Sequence, residues 1–183
     1  MRKTLLNLTP AALLLLAVAG GVQAASNAQI TITGTVVAST CDVSISTNNL
    51  DLGNYTPAQF TGVSTPISES QHPFTVGINN CGTPLAAGDT ANLVVTGQTL
   101  GGNTNMFNST GTNTGVMLSL ASAPTSYISA GQKLLIATAG ATPSSADFNG
   151  KTLSMNAGLA STTTSGVDIG AVNAPILFSF AYN

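Results

Sequence analysis

The chain has very little charge: only 5% of its 183 residues are Asp, Glu, Lys or Arg. Past residue 24 the basic residues are Lys133 and Lys151, set against six acids, so residues 25–183 carry a formal charge of −4 (2 minus 6). So few cations leave no electrostatic footprint for nucleic acid or for an acidic membrane surface. Solubility rests on Thr, Ser, Asn and Gly. Such surfaces repel each other weakly, which suits a protein that packs against copies of itself.

Residues that usually build catalytic sites are also scarce. His72 is the one histidine, and Pro73 follows it at a loop-to-strand junction, which favours a surface residue over a general base. Asp147 and Asp168 each stand alone in a predicted loop, so no paired-carboxylate site is indicated. Neither a Gly-x-Ser-x-Gly motif nor a phosphate-binding loop is present. We therefore predict that the protein is not an enzyme and has no cofactor.

Long hydrophobic runs are confined to the beginning of the chain. Two positive charges precede an apolar run over residues 11–22, and small residues at 22–24 fit a signal peptidase site. A membrane anchor is the alternative, but the run is too short to span a bilayer and Pro10 interrupts what precedes it. We expect a signal peptide, residues 1–24, and an exported protein that begins at or near Ala25 and does not insert into the membrane.

Cys41 and Cys81 are the two cysteines of the chain. In an exported protein an even pair indicates a disulfide. The bond would close a loop of about 40 residues and stabilise the fold by roughly 4 kcal/mol on the loop-entropy model. A metal site is the alternative, but a single histidine and the absence of C-x-x-C spacing argue against it.

Helical periodicity is almost absent, and short segments with apolar residues at every second position take its place. Turn residues separate these segments, which predicts a one-domain β-sandwich of Greek-key type without internal repeats. Connections are predicted at 56–71 (a polar loop), 98–114 (a long exposed loop or a weak edge hairpin) and 122–132 (irregular). The predicted strands are 42–46, 50–55, 73–81, 91–97, 115–120, 133–136, 153–159 and 174–183.

Residues 29–37 form an alternating stretch just ahead of the first cysteine. Ile30, Ile32, Gly34 and Val36 fall on one face, and three threonines fall on the other. Glycine weakens a strand interior and often marks the close approach of another backbone or side chain. The stretch is either an ordinary first strand or a strand that pairs with a neighbouring molecule.

The last segment is the most aromatic part of the chain. Ile176, Phe178, Phe180 and Tyr182 share one face, and the sequence stops without a further strand to cover them. An exposed apolar edge strand is an aggregation hazard that proteins usually manage. The stretch 29–37 could fill this gap within its own chain, or it could fill the gap of the next molecule and build an open head-to-tail fibre.

With these features the chain resembles the type 1-like fimbrial (pilus) subunits of the chaperone–usher pathway. The resemblance covers residues 25–183. Its motifs are ITGTVV at 32–37 before Cys41, LDLG at 50–53, NC at 80–81, GVML at 115–118 and the penultimate Tyr182.

The resemblance implies an all-β, incomplete immunoglobulin-like sandwich that lacks its last strand. Residues 25–37 would be an N-terminal donor-strand extension and 38–183 the pilin domain. A chaperone would lend a strand to the groove, and the extension of the next subunit would replace it, a form of β-strand addition. The donor positions would be Ala28, Ile30, Ile32, Gly34 and Val36. The groove floor would include Ile176, Phe178, Phe180 and Tyr182, and Asn183 would carry the carboxylate that the chaperone anchors.

The implied partners are other copies of the chain, a periplasmic pilus chaperone, an outer-membrane usher and adaptor or adhesin subunits. The protein would pass through the periplasm to a surface fimbria that supports cell adhesion. The weakly charged, Thr/Gly/Ala-rich composition favours a repeated shaft subunit. Three alternatives stay open: a minor tip or adaptor subunit, a carbohydrate-binding adhesin of the same pathway, and a self-complete secreted β-sandwich binding module.

Overall fold

The structure is a computed structural model and describes Thr33 and residues 39–183. The predicted signal peptide and the predicted donor positions lie outside the described residues. Within residues 39–183 there are ten β-strands, three short 3-10 helices and no α-helix. The 3-10 helices are Pro57–Gln59, Ser68–Ser70 and Ser145–Asp147. The strands are β1 (Asp42–Ile45), β2 (His72–Asn79), β3 (Thr90–Gly97), β4 (Thr99–Leu100), β5 (Asn103–Phe107), β6 (Thr114–Leu120), β7 (Ala123–Tyr127), β8 (Lys133–Thr138), β9 (Lys151–Ser161) and β10 (Ile176–Tyr182).

The strands form two antiparallel sheets. The large sheet has the order β1-β2-β9-β6-β5-β4, with β7 also paired to β6, and the small sheet has the order β10-β3-β8. Every pairing between named strands is antiparallel. The predicted all-β class is therefore confirmed.

The core lies between the inner faces of the two sheets. On β2 the alternation buries Phe74, Val76 and Ile78, as the sequence predicts. On β3 the residues Ala91, Leu93 and Val95 are completely buried and belong to the same cluster. Successive side chains of a strand point to opposite faces, so one alternating set on each strand is enough to fill this interior.

The disulfide between Cys41 and Cys81 is present, with an S–S distance of 2.08 Å. Cys41 directly precedes β1, and Cys81 follows the end of β2. The bond therefore ties together two strands that already pair in the sheet, with Asp42 opposite Asn79. The sequence prediction is confirmed.

Residues 50–55 are not a strand, so that prediction is wrong. Gly53 has a φ of +90°, and its N–H donates to Asp51 Oδ1 at 2.9 Å. This local turn stops an extended backbone, because an aspartate that accepts from the backbone two residues on favours a turn. Leu50 and Leu52 still pack, partly buried, against the core.

Three predicted connections contain more structure than the sequence indicates. Residues 98–114 form a hairpin of β4 and β5 at the edge of the large sheet, the second of the two predicted alternatives, and Met106 and Phe107 are completely buried there; residues 122–132 carry β7. The polar loop 56–71 buries Phe60 and Ile67 in a small satellite cluster. Asn, Thr and Gly dominate these segments, so local propensity predicts loops, and only contacts with distant strands determine which few apolar residues are buried.

None of the helices in residues 39–183 has the length and hydrophobicity needed to cross a membrane. The same residues contain no group of three His, Cys, Asp or Glu side chains placed to hold a metal ion.

Candidate functional site: the groove beside strand β10

A groove with a volume of about 880 Å³ opens into the sandwich beside the first half of β10. It is bounded by side chains from both sheets and by two irregular segments, 47–55 and 168–175. We call this cavity the groove, and we call residues 168–175 its rim.

The floor of the groove is formed by the large sheet. Phe74 comes from β2, Val116 and Leu118 from β6, and Ala157 and Leu159 from β9. These strands are neighbours, because β9 pairs with β2 on one side and with β6 on the other. In the register of β6 and β9, Val116 lies opposite Leu159 and Leu118 opposite Ala157. The floor is thus a continuous apolar surface that belongs to the inner face of the sheet.

One side of the groove is the segment after β1, where Ile45, Leu50 and Leu52 line the cavity. The other side consists of the rim together with Ile176 and Phe178 of β10. The ring centroid of Phe178 lies 6.0 Å from that of Phe74, so the side wall meets the floor through an aromatic contact. The groove therefore combines an apolar floor with side walls that also carry polar residues such as Asn48, Asp51 and Asn173, and it lies next to a strand edge.

Strand β10 borders the groove with a free edge. It pairs with β3 along its whole length and, among the residues that the structure describes, with no second strand. Its side chains are partly buried or exposed, whereas Leu93 and Val95, which lie opposite Phe180 and Phe178, are completely buried. Large aromatic side chains therefore stay half-covered on this strand.

The predicted site residues of β10 separate into two groups. Ile176 and Phe178 line the groove, while Phe180 and Tyr182 continue the same face beyond its lining. Asn183 extends the ladder past the strand, since its N–H donates to Thr90 O at 3.0 Å and its own oxygen accepts from Thr90 N at 2.9 Å. The binding roles of these residues stay predictions, as do those of Ala28, Ile30, Ile32, Gly34 and Val36.

Tyr182 anchors the far end of β10 to the loop before β3. Its hydroxyl donates to Asp89 Oδ2 and accepts from Leu85 N at 2.8 Å. The hydrogen bond from Tyr182 is the main cause that lowers the pKa of the Asp89 carboxyl, because it stabilises the charged form. Desolvation raises the pKa of the Tyr182 hydroxyl, and the bond to Asp89 adds to this. The Tyr182 ring also meets Phe148 edge-on at 6.3 Å.

Asp168 holds the rim against the loop that leads into β6. Its Oδ2 accepts from Thr112 N at 3.0 Å, from Asn113 N at 2.9 Å and from the Thr112 hydroxyl. In return the Asp168 N–H donates to Asn113 Oδ1 at 2.9 Å. These donors lower the pKa of the Asp168 carboxyl, with the Thr112 hydroxyl as the largest cause.

Sequence reasoning did not assign the floor residues or the rim to the site. Alternation does mark Val116 and Leu118 as one face of a strand, but it does not say which strand lies beside it. Asp168 stands alone in the sequence, and only the fold brings it to Thr112 and Asn113.

The fold is a β-sandwich with a groove beside a free strand edge, and comparison with known proteins identifies its family. The fimbrial protein family model matches residues 30–183, so the chain belongs to the fimbrial protein family. The resemblance to fimbrial subunits found in the sequence is confirmed. The protein is a structural subunit of a surface fimbria and associates with other subunits in a fibre; it is not an enzyme.

One solved structure shows a similar fold, and a second one is more distant. The crystal structure of the P pilus rod subunit PapA has a TM-score of 0.53 and 20% sequence identity, covering 85% of this chain and 99% of that one. A chaperone–usher pilus described in connection with rod uncoiling has a TM-score of 0.48 and 18% identity, covering 87% and 97%. A comparison with curated protein sequences found no match.

Proposed function

We propose that this fimbrial subunit polymerises by donor-strand exchange: residues 25–37 of one copy enter the groove of the next and pair with β10. The observation that carries the proposal is the groove itself, which runs beside the free edge of β10 and is lined on its apolar floor and wall by Phe74, Leu118 and Phe178. The sandwich fold in this proposal is incomplete and gains its last strand from a neighbour.

An added strand would both pair with the free edge of β10 and cover the floor of the groove. Its backbone would pair with the N–H and C=O groups of the outer edge of β10, and every second side chain would cover the floor. The alternation at 28–36 supplies four apolar side chains on one face, with Gly34 at a position where the groove would leave little room. Covering a half-exposed aromatic side chain stabilises by about 1–2 kcal/mol, so several such contacts add up to a strong assembly.

The same edge must be covered before assembly, since an uncovered apolar strand edge pairs with any available chain. We propose that a periplasmic chaperone supplies a strand at this stage and anchors the carboxylate of Asn183, and that an outer-membrane usher brings subunits together. In this scheme the chain is a shaft subunit, adaptor or adhesin subunits join its fibre, and the fibre supports cell adhesion.

The experiment compares residues 25–183 with a version that lacks 25–36, each with and without a cognate chaperone. We expect the longer protein to form heat-resistant polymers. The shortened protein should remain a chaperone-dependent monomer, and a peptide of residues 27–38 should replace the chaperone. A peptide in which Ile30 and Ile32 are replaced by serine is the matched control and should not stabilise the shortened protein.

Two outcomes contradict the proposal. One is a shortened protein that is stable alone together with a longer protein that never polymerises, which would identify a self-complete binding module. The other is polymerisation of the shortened protein at the rate of the longer one.

A further inference from the structure

The rim of the groove is held from outside by the loop 108–114. Asp168 accepts three hydrogen bonds from Thr112 and Asn113 at one end of the rim. At the other end, Asn173 O accepts from Ser109 N and from the Ser109 hydroxyl, both at 2.8 Å. Between these ends the Thr110 hydroxyl donates to Ala171 O at 3.1 Å, so the rim is attached to the loop at three residues.

Ile169 lies between the attached residues Asp168 and Ala171 and is 91% exposed. It lines the groove, and it also lines a smaller cavity of about 370 Å³ between the rim and loop 108–114. Large exposed apolar side chains are rare in residues 39–183, and Ile169 is the most exposed of them. Single exposed apolar side chains are common on protein surfaces, but Ile169 also lines the groove, so a strand that enters the groove would meet it.

We propose that Asp168 is a positioning residue for assembly: its carboxylate fixes the rim so that Ile169 is presented at the mouth of the groove to the entering strand of a second copy. This inference rests on the proposed function and adds a contact outside the floor and β10. Ordering a mobile rim during binding would cost conformational entropy. Because the rim is already fixed, this cost is absent and the entering strand should associate faster. In this proposal Asp168 acts through Ile169.

The alternative is that Asp168 only stabilises a surface loop. The two interpretations differ in a measurable way. A structural role predicts a lower free energy of unfolding and independent effects of Asp168 and Ile169. Positioning predicts that the two residues act as a unit on the rate of assembly, because removing either one removes the same contact.

The experiment measures the polymerisation rate of residues 25–183 after refolding, together with the free energy of unfolding. The variants are Asp168→Ala, Asp168→Asn, Ile169→Ser and the double variant Asp168→Ala/Ile169→Ser. Asp147→Asn is the matched control for the carboxylate, because Asp147 Oδ2 accepts from Ser144 N at 2.9 Å in a local turn and does not line the groove. Leu135→Ser is the control for the apolar side chain, since Leu135 is 56% exposed and is not a lining residue.

We expect Ile169→Ser and Asp168→Ala each to slow assembly by about tenfold, within the range that interface mutations produce in association rates. The double variant should be no slower than the slower single variant. Asp168→Asn should recover part of the rate, because its carboxamide oxygen can accept the same bonds without the charge. Both controls should assemble at the unaltered rate.

The positioning role is overturned if Ile169→Ser assembles at the unaltered rate. It is equally overturned if the effects of Asp168→Ala and Ile169→Ser multiply in the double variant. If Asp168→Ala does not refold, Asp168→Asn takes its place. The assembly rates of Asp168→Asn, Ile169→Ser and the corresponding double variant are then compared in the same way. Absence of polymers from the unaltered protein would overturn the proposed function and this inference together, whereas normal polymers from Ile169→Ser would overturn the inference alone.

Discussion

The rings of Phe74 and Phe178 meet at a centroid distance of 6.0 Å and an interplanar angle of 57°. Phe74 belongs to β2 of the large sheet and Phe178 to β10 of the small sheet. This contact joins the floor of the groove to its side wall, and it lies where the sandwich is open. The aromatic contact therefore belongs both to the core of the subunit and to the surface that we propose the neighbour covers.

Replacing Phe178 by alanine should weaken the fibre more than any change on the opposite face of β10. The substitution removes a half-buried aromatic ring from the wall of the groove, and we expect a loss of roughly 2 kcal/mol. Thermal dissociation of polymers measures the effect. Leu177→Ala is the control, because Leu177 is 63% exposed and points away from the core, and it should leave the dissociation temperature almost unchanged. Equal effects of the two substitutions would show that the face of β10 is irrelevant to assembly.

Gly34→Ile should slow or block polymerisation without unfolding a chaperone-bound subunit. The sequence places Gly34 on the apolar face of the proposed donor stretch, where in our proposal a large side chain would meet the groove. Thr35→Ile is the matched control, since Thr35 falls on the other face of the alternation. The measurement is the yield of heat-resistant polymer. Normal assembly of Gly34→Ile would remove Gly34 from its proposed role.

Gly115→Ala should destabilise the domain by about 1–3 kcal/mol, as overpacking does. A Cβ at this position would lie 2.6 Å from Met106 Cγ and 2.9 Å from the Phe107 carbonyl oxygen. The Phe107 backbone has little freedom to move, because Phe107 pairs with Val116 in the sheet. Denaturant unfolding checks the loss. At Gly101 an added Cβ meets no atom within 4 Å, so Gly101→Ala should change stability by less than about 0.5 kcal/mol.

Removing the disulfide should cost roughly 4 kcal/mol, the entropy of a loop with a sequence separation of 40. The variant is Cys41→Ser/Cys81→Ser, and its free energy of unfolding is compared with that of the oxidised protein. β1 should be affected most, because it has four residues and Cys41 directly precedes it. Addition of a reductant should lower the stability of the unaltered protein and leave the double variant unchanged; a response of the double variant would assign the effect to something other than the bond.

Acid should destabilise the loop that anchors β10. The pKa of Asp89 lies below its ordinary value of 3.8 in the folded protein, with the Tyr182 hydrogen bond as the largest cause. Its contribution to stability is therefore complete above the unfolded pKa and is lost as the pH falls below 3.8 and through the lower folded pKa. The carboxyl of Asp168, whose pKa is also lowered, acts in the same direction. The free energy of unfolding, measured between about pH 2 and pH 6, should show this loss, because the range includes the usual pKa values of carboxyl groups.

Tyr182→Phe distinguishes the contribution of Asp89 to the acid sensitivity from that of Asp168. It removes the main donor to Asp89 and leaves the bonds of Asp168 unchanged, so the acid sensitivity should decrease but not disappear. Tyr127→Phe, on β7, is the control and should behave like the unaltered protein. An acid response that is identical in all three proteins would show that Asp89 does not contribute.

Strong alternation made several elements predictable. His72–Asn79, Thr90–Gly97 and Ile176–Tyr182 are strands where the sequence predicts them, because each carries several large apolar residues at every second position. The stretch 50–55 has the same pattern in Leu50 and Leu52, yet Asp51 and Gly53 form a turn there. A turn stabilised by a hydrogen bond between residues two positions apart therefore prevails over an alternating pattern that is this short.

Polar segments were less predictable. Asn103–Phe107 forms a strand although it contains two asparagines, since its edge pairs with neighbouring strands and Met106 and Phe107 enter the core. Strand propensity depends strongly on such neighbours, so local sequence underestimates strands of this kind.

By itself the sequence determined the class of the fold, the disulfide, the membership in the fimbrial family and the position of the last strand; the apolar face at 28–36 stays a prediction. Those features depend on residue types and on the two-residue period of a strand, which are properties of the chain alone. The tertiary structure decided which strands form the floor of the groove and where its rim is attached. Val116 and Leu159 become neighbours only through the pairing of β6 with β9, and Asp168 reaches Thr112 across 56 residues of sequence. Contacts between residues far apart in the chain arise from how strands pair, and no local pattern records that choice.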